Sequence, residues 1–321
     1  MDINDKIKST AISVIYDEYI AVKNLSNSVN DDFIKAVRLI YESEGRIIVT
    51  GIGKGAIIAQ KIVATFNSTG TPSIFMHAAD AIHGDLGIIT KEDILIAVSK
   101  SGETPEIKVL IPLVKARKNK IIALVGNTKS FLARQADYVL DATVEKEACP
   151  NNLAPTTSTT AQLVMGDAIA ISLLELKNFT ASDFAKFHPG GSLGKRMFMR
   201  VIDLASNNEV PKVNSNEPIS KVIIEISSKR LGATAVVEKG KLIGVVTDGD
   251  LRRMIEKYDN FNTLVARDIM TKNPRTIDKD ELVVSALSIM RENNITQLPV
   301  TDNGNYIGVI HLHDILKEGI F

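Results

Sequence analysis

The sequence has one cysteine, Cys149, no tryptophan and no net charge. A lone thiol excludes an intrachain disulfide framework and fits a reducing compartment. Aromatic residues are 5% of the chain, too few for the stacking platforms of single-stranded nucleic-acid binders. Lys and Arg total 38, as do Asp and Glu, and no basic stripe stands out. That balance argues against nucleic acid, whose binders grip the backbone with a basic excess. Apolar windows such as 94–98 are strand-length, far short of the roughly 20 residues of a membrane span, so no membrane partner is expected. The first twenty residues scatter their charges and hold no long apolar stretch, which argues against a secretory signal and makes the cytoplasm the default.

What is present is enough apolar sequence, 45% of 321 residues, for two soluble domains. Ile12, Ile15, Tyr19 and Val22, then Phe33, Val37 and Ile40, recur at helical spacing within 2–44. The period then changes. Short apolar runs at 46–51, 73–77, 93–99, 120–126 and 138–143 alternate with helix-like segments at 56–70, 107–118 and 129–136. This predicts an α/β, doubly wound, mostly parallel sheet with both faces covered. Ligands of such sheets sit at the carboxyl ends of the strands, so the loops after them are where chemistry is sought.

From about 207 an internal repeat appears. Residues 240–251 align with 304–315 at an offset of 64, Gly244 matching Gly308 and Asp250 matching Asp314. An offset of 63 relates 210–212 to 273–275, which places one inserted residue between. Two copies of strand–helix–strand–strand–helix form a C-terminal tandem α/β module.

Several loops carry polar groups suited to a sugar phosphate. Gly51, Gly53 and Gly55 separate a strand from a helix, with Lys54 among them, but as G-x-G-x-G rather than the dinucleotide spacing. Ser99, Ser101 and Thr104 follow the strand at 93–99 and precede a helix. They suit a terminal phosphate, or ordinary N-capping with Glu103 or Glu106 in the first turn. The cluster Thr156, Thr157, Ser158, Thr159 and Thr160 holds more hydroxyls than a cap needs. Glu147 follows a strand end, where burial toward a pKa of about 6–7 would make it a better base, although a solvated surface glutamate is the plainer reading. His77 and His83 stand six apart without metal-ligand spacing.

Taken together, these residues resemble a sugar isomerase (SIS) domain followed by two CBS motifs, and more narrowly the arabinose 5-phosphate isomerase family. The resemblance rests on GIGKGA, ATFNSTGTPSIFMHAADAIHGDLG, SKSGETPEI, EKEACPNNLAPTTSTTAQLVMGDA and FHPGGSLGK, in family order over roughly 46–196. It implies an SIS domain over 1–205 and CBS motifs over 207–262 and 263–321. It further implies interconversion of D-ribulose 5-phosphate and D-arabinose 5-phosphate, supplying 3-deoxy-D-manno-octulosonate for lipopolysaccharide or capsule. By the same match the catalytic residues are Lys54, Glu106, Glu147 and His188, with Gly70, Thr71, His77 and His83 contacting substrate. His77 also matches a position where zinc binds as an inhibitor. The resemblance implies a homotetramer with active sites near subunit boundaries.

Isomerisation through a cis-enediol needs a base facing two adjacent carbons and a stabiliser of oxyanion charge. Glu147 is expected as the base with Glu106 in reserve, Lys54 as the stabiliser and His188 as a hydroxyl proton shuttle. Ser99, Ser101, Thr104 and the Thr156–Thr160 cluster are expected to hold the phosphate; no metal or redox cofactor is required. In the CBS pair, Thr247 and Asp250 keep the nucleotide-contacting Thr-x-x-Asp pattern, while the second copy places His311 before Asp314. A nucleotide or nucleotide sugar is the expected regulator. The competing readings are a non-catalytic sugar-phosphate sensor, which would carry a DNA-binding segment not apparent in 1–45, and another phosphosugar enzyme.

Overall fold

The structure, a computed structural model, describes residues 2–321 and divides into two compact units, one ending at Phe187 and one beginning at His188. In the first unit the helices are α1 (Ile3–Asn24), α2 (Asp31–Glu42), α3 (Lys54–Ser68), α4 (Ala78–Ala81), α5 (Pro105–Ala116), α6 (Phe131–Gln135), α7 (Thr157–Leu176) and α8 (Ala181–Phe187). The strands are β1 (Ile47–Gly51), β2 (Ser73–His77), β3 (Ile94–Ser99), β4 (Lys120–Val125) and β5 (Tyr138–Asp141). They form one parallel sheet in the order β2-β1-β3-β4-β5.

Alternation along these strands sends successive side chains to opposite faces. Ile47, Val49, Ile94, Ile96, Ile122 and Leu124 pack with α2, α3 and α7, while Ile48, Leu95, Ala97, Ile121 and Ala123 pack with α4, α5 and α6. Both faces are covered, as the near-continuous apolar runs require. The strand order reverses direction between β1 and β3, which makes their carboxyl ends the switch point of the sheet.

Two expectations change here. The stripe Ile12, Ile15 and Tyr19 does not enter the core: α1 has no buried residue, and Ile15 is 70% exposed. Helical period reports a face, not what covers it, and within this chain α1 lies outside the sheet's helical layers. The expectation that apolar windows are only strand-length also fails for α7, which is long and apolar enough to cross a membrane by composition alone. Its Ala161, Met165, Ile169 and Leu173 are buried against the sheet and α3, so it is a core helix. Gly166 of α7 meets α3 so closely that an added Cβ would lie 2.4 Å from Ile62 Cγ1.

The second unit contains α9 (Ser192–Phe198), α10 (Val201–Ala205), β6 (Lys212–Asn214), α11 (Ile219–Lys229), β7 (Ala233–Glu238), β8 (Lys241–Thr247) and α12 (Asp248–Lys257). It continues with α13 (Ala266–Ile269), β9 (Thr271–Lys272), β10 (Ile277–Asp278), α14 (Val283–Glu292), β11 (Gln297–Asp302), β12 (Asn305–His311) and α15 (Leu312–Lys317). The repeat is visible in its cores. Val213, Val222, Ile226, Val236 and Val246 are buried in one, and Ile277, Ala286, Met290, Val300 and Ile310, each 64 residues on, are buried in the other. The one-residue insertion therefore falls before Ile277. Residues 188–205, expected with the catalytic domain, belong instead to this unit: Val201, Leu204 and Ala205 are buried in its second core, and Val201 N–H donates to Glu281 O.

Candidate active site

The switch point of the first sheet opens on a cavity of about 310 Å³ lined by Lys54, Ser99, Lys100, Ser101, Thr104, Ser158, Thr159 and Gln162, with apolar walls from Ile52, Val98 and Pro155. Three chain segments converge there because parallel strands deliver their following loops to one edge. The β1 loop starts α3 at Lys54, the β3 loop supplies Ser99–Thr104, and the start of α7 supplies Ser158 and Thr159.

The β3 loop is tied down locally. Gly102 takes φ +64°, and its N–H donates to Ser99 Oγ at 3.0 Å, while Glu103 N–H donates to Ser101 Oγ at 3.2 Å. A side chain at Gly102 would collide with Ser130, its Cβ lying 2.1 Å from Ser130 Oγ. Thr104 precedes α5 at the N-cap position yet makes no capping bond, and its Oγ1 is buried with no hydrogen-bond partner. Capping therefore does not account for this threonine. Gln162 is likewise buried, and its Nε2 has no partner. Buried polar atoms are almost always satisfied, so two unpaired groups in residues lining one cavity mark where a polar ligand fits.

Glu147 lies behind the wall of this cavity, its side chain wholly buried. Oε2 accepts from Thr156 N–H at 2.8 Å and Ser158 N–H at 3.1 Å, and Oε1 from Ser158 Oγ at 2.5 Å. Lys100 Nζ stands 2.5 Å from Oε1. This corrects the expected direction of its pKa. Burial does push the carboxyl up, but the Lys100 ammonium, the Ser158 hydroxyl and the two amides outweigh it and bring it from 4.5 down to about 2. Thr156 and Thr157, expected at the phosphate, serve this loop instead, both hydroxyls accepting from Ala148 N–H.

The remaining expected residues are spread out. Glu106 lies in the first turn of α5, half-buried, and is not among the cavity's lining residues. His77 ends β2 in register with Gly51, on the same sheet edge, and its Nδ1 is 3.8 Å from Asp80 Oδ2; His83 is exposed beyond α4. Among the described residues no three His, Cys, Asp or Glu side chains gather as a metal ion would need. Gly70 and Thr71 are not brought to the cavity: they follow α3 and precede β2, at the opposite sheet edge, where the half-buried Lys177 ammonium donates to Gly70 O and Thr71 Oγ1. His188 opens the second unit.

Sequence reasoning missed Lys100 and Gln162. Lys100 sits between the two serines at a strand end, as Lys54 does after β1, and that parallel was a usable signal. Gln162 lies four residues after Ser158, hence on the same face of α7.

In the second unit a cavity of about 330 Å³ is lined by Thr247, Asp250, Arg253, Thr271, Arg275 and apolar residues including Val245, Pro299 and Val309. Thr247 caps α12, its N–H and Oγ1 donating to Asp250 Oδ2 at 2.9 and 2.7 Å. In the second copy His311 takes over the cap, its Nδ1 accepting from His313 N–H, while Asn208 Nδ2 donates to Asp314.

Residues 39–172 match the SIS domain family, and 201–257 and 266–320 match the CBS domain family. The chain is 46% identical to "Arabinose 5-phosphate isomerase KdsD" of Francisella tularensis over 96% of both chains. Against the protein of the same name from Pseudomonas aeruginosa it is 45% identical over 94% of this chain and 93% of the other. Among solved structures, an E. coli CFT073 protein in complex with arabinose 5-phosphate superposes with a TM-score of 0.56 at 40% identity, covering 59% of this chain and all of that one.

Proposed function

The chain belongs to the arabinose 5-phosphate isomerase family, and from that premise we propose that it interconverts D-ribulose 5-phosphate and D-arabinose 5-phosphate, supplying 3-deoxy-D-manno-octulosonate synthesis for lipopolysaccharide or capsule. The observation that carries this reading is the switch-point cavity, whose hydroxyls, two lysines and unpaired Thr104 and Gln162 groups suit a small phosphorylated polyol. The phosphate takes the Ser101, Thr104 and Thr159 hydroxyls and the free N–H groups at the start of α5. An anion at a helix N-terminus needs no net basic charge. Lys54, at the start of α3, faces developing oxyanion charge at the carbonyl oxygen.

Proton transfer between the two carbons passes through a cis-enediol, with Glu147 as the base and Glu106 in reserve. His188 moves a hydroxyl proton or aids furanose opening. This chemistry requires no metal or redox cofactor, and zinc at His77 acts only as an inhibitor.

The working form is a cytoplasmic homotetramer. Its support is the exposed stripe of α1 and the place of Gly70 and Thr71. α3 has 15 residues, about 22 Å of helix, so these two sit far from the cavity of their own chain and reach a substrate only in a neighbouring copy. In the second unit, a nucleotide or nucleotide sugar binds at Thr247 and Asp250, with Asp314 in the related position.

A coupled assay with ribulose 5-phosphate tests the activity. Turnover to the aldose with solvent deuterium entering C2 is expected; tight sugar-phosphate binding without turnover would instead make the chain a sensor.

A further inference from the structure

Four of the contacts on Glu147 come from the start of α7, namely Thr156 N–H, the longer one from Thr156 Oγ1, Ser158 N–H and Ser158 Oγ. They are fixed by the fold. The fifth is Lys100 Nζ, at 2.5 Å, on a side chain that is 46% exposed. Lys100 also lines the phosphate cavity beside Ser99, Ser101 and Thr104. It is thus the one movable partner of the buried carboxylate and, at the same time, a cation on the substrate's side of the wall. Building on the isomerase reading, we infer that Lys100 is a positioning residue that couples phosphate capture to Glu147: it holds and covers the carboxylate, and a phosphate entering the cavity draws its ammonium away.

The electrostatics run in one direction. An opposite charge in contact favours the ionised carboxylate and makes it a weaker base. A phosphate dianion competes for the same ammonium. As Lys100 turns toward it, Glu147 loses its only charged partner among the described residues and its cover together, and becomes both more basic and more accessible. The other charged groups nearby do not replace Lys100. Lys54, from the start of α3, lines the cavity without bonding Glu147; on the carboxylate's own loop Lys146 is paired with Asp17 of α1, Nζ to Oδ2 at 3.1 Å. Asn152 reaches only the Glu147 backbone, its Oδ1 accepting from Glu147 N–H at 2.7 Å. The base is therefore kept weak until the substrate's phosphate, remote from the reacting carbons, is in place. Binding energy from a non-reacting group is then used at the reacting centre.

The test uses the full chain with Lys100→Met, Lys100→Gln and Lys100→Arg, folding being checked by circular dichroism. Each is assayed with ribulose 5-phosphate from pH 3 to 9, with inorganic phosphate as competitive inhibitor. Met and Gln are expected to lower kcat/KM by about 10- to 100-fold. They should also move the acid limb of kcat/KM, which reports the free enzyme where Lys100 still holds Glu147, up by about one pH unit or more and weaken phosphate inhibition, while Arg restores all three. A merely structural lysine would lower activity without moving the limb. The inference is overturned if the active wild type and the folded Met or Gln variants share one acid limb of kcat/KM, or if phosphate inhibits them equally. If the wild type does not isomerise ribulose 5-phosphate at all, the functional reading fails instead. Calorimetry with inorganic phosphate then decides the inference, since equal affinity of wild type and Lys100→Met overturns it.

Discussion

Each unit buries a carboxylate beside its candidate site, Glu147 in the first and Asp250 in the second, and the two are built differently. Asp250 is 7% exposed, and its close partners are Thr247 and Arg253, three residues away on either side within the first two turns of its own helix, with Thr271 of β9 adding only a long 3.4 Å contact. Glu147 is 2% exposed and is held by residues 9 and 11 positions on, and by Lys100 from another strand end. The first is a local cap that any isolated helix could make. The second joins β3, β5's following loop and α7, and exists only once the sheet is assembled. Similar burial thus serves helix initiation in one place and site assembly in the other.

The sharpest way to break this contrast is Glu147→Gln against Asp250→Asn in the isomerase assay. Losing a positioned base costs about 10²- to 10⁴-fold, so kcat and solvent proton exchange at the reacting carbon should fall by that much in the first variant. Near-normal turnover would move the base to Glu106.

Stability should separate the two next. Glu147→Ala strands four donors and the Lys100 charge, expected to cost about 3 kcal/mol, the low end for a broken buried pair because Lys100 is half exposed and screened. Asp250→Ala removes a cap, expected at about 1 kcal/mol. Urea unfolding with probes in each unit checks both, and equal costs would erase the distinction.

Acid should act on the first unit through Glu147. Its folded pKa lies below the unfolded value, so its contribution is complete above about 5 and is lost as pH falls through 4.5 toward 2. Thermal unfolding followed from pH 6 to 2.5 should show this loss, and Lys100→Met should bring it to higher pH.

The smallest structural effect is expected from Thr104→Val. Its buried hydroxyl has no partner, so stability should hold within about 0.5 kcal/mol while KM for the sugar phosphate rises about tenfold. A stability loss without a KM change would return Thr104 to the helix cap.

The sheet was legible because strand-length apolar runs alternate with helical segments and a parallel sheet must bury both faces. All five strands of the first unit lie where the period changes. The repeat was legible because identical offsets recur in separate core positions. What the sequence did not disclose is tertiary. Ile12, Ile15 and Tyr19 have a helical period whether or not anything covers them. The 188–205 segment is short and glycine-rich, and only the contacts of Val201 and Leu204 show which core it joins. At the site, Lys54, Ser101 and Thr104 could be named from strand-end position. The direction of the Glu147 pKa could not, since it depends on a lysine 47 residues upstream.

The Gly166–Ile62 contact has a mechanical consequence. Ile62 lies eight residues past Lys54 in α3, and Gly166 eight residues past Ser158 in α7, so each helix extends about 12 Å from that contact to the cavity. The two helices act as the arms of calipers pinned at one missing methyl group. The gap between their tips, where the sugar phosphate is gripped, is set by a residue that never touches it. A single carbon added at position 166 would spread the pin and change the fit of every ligand at once.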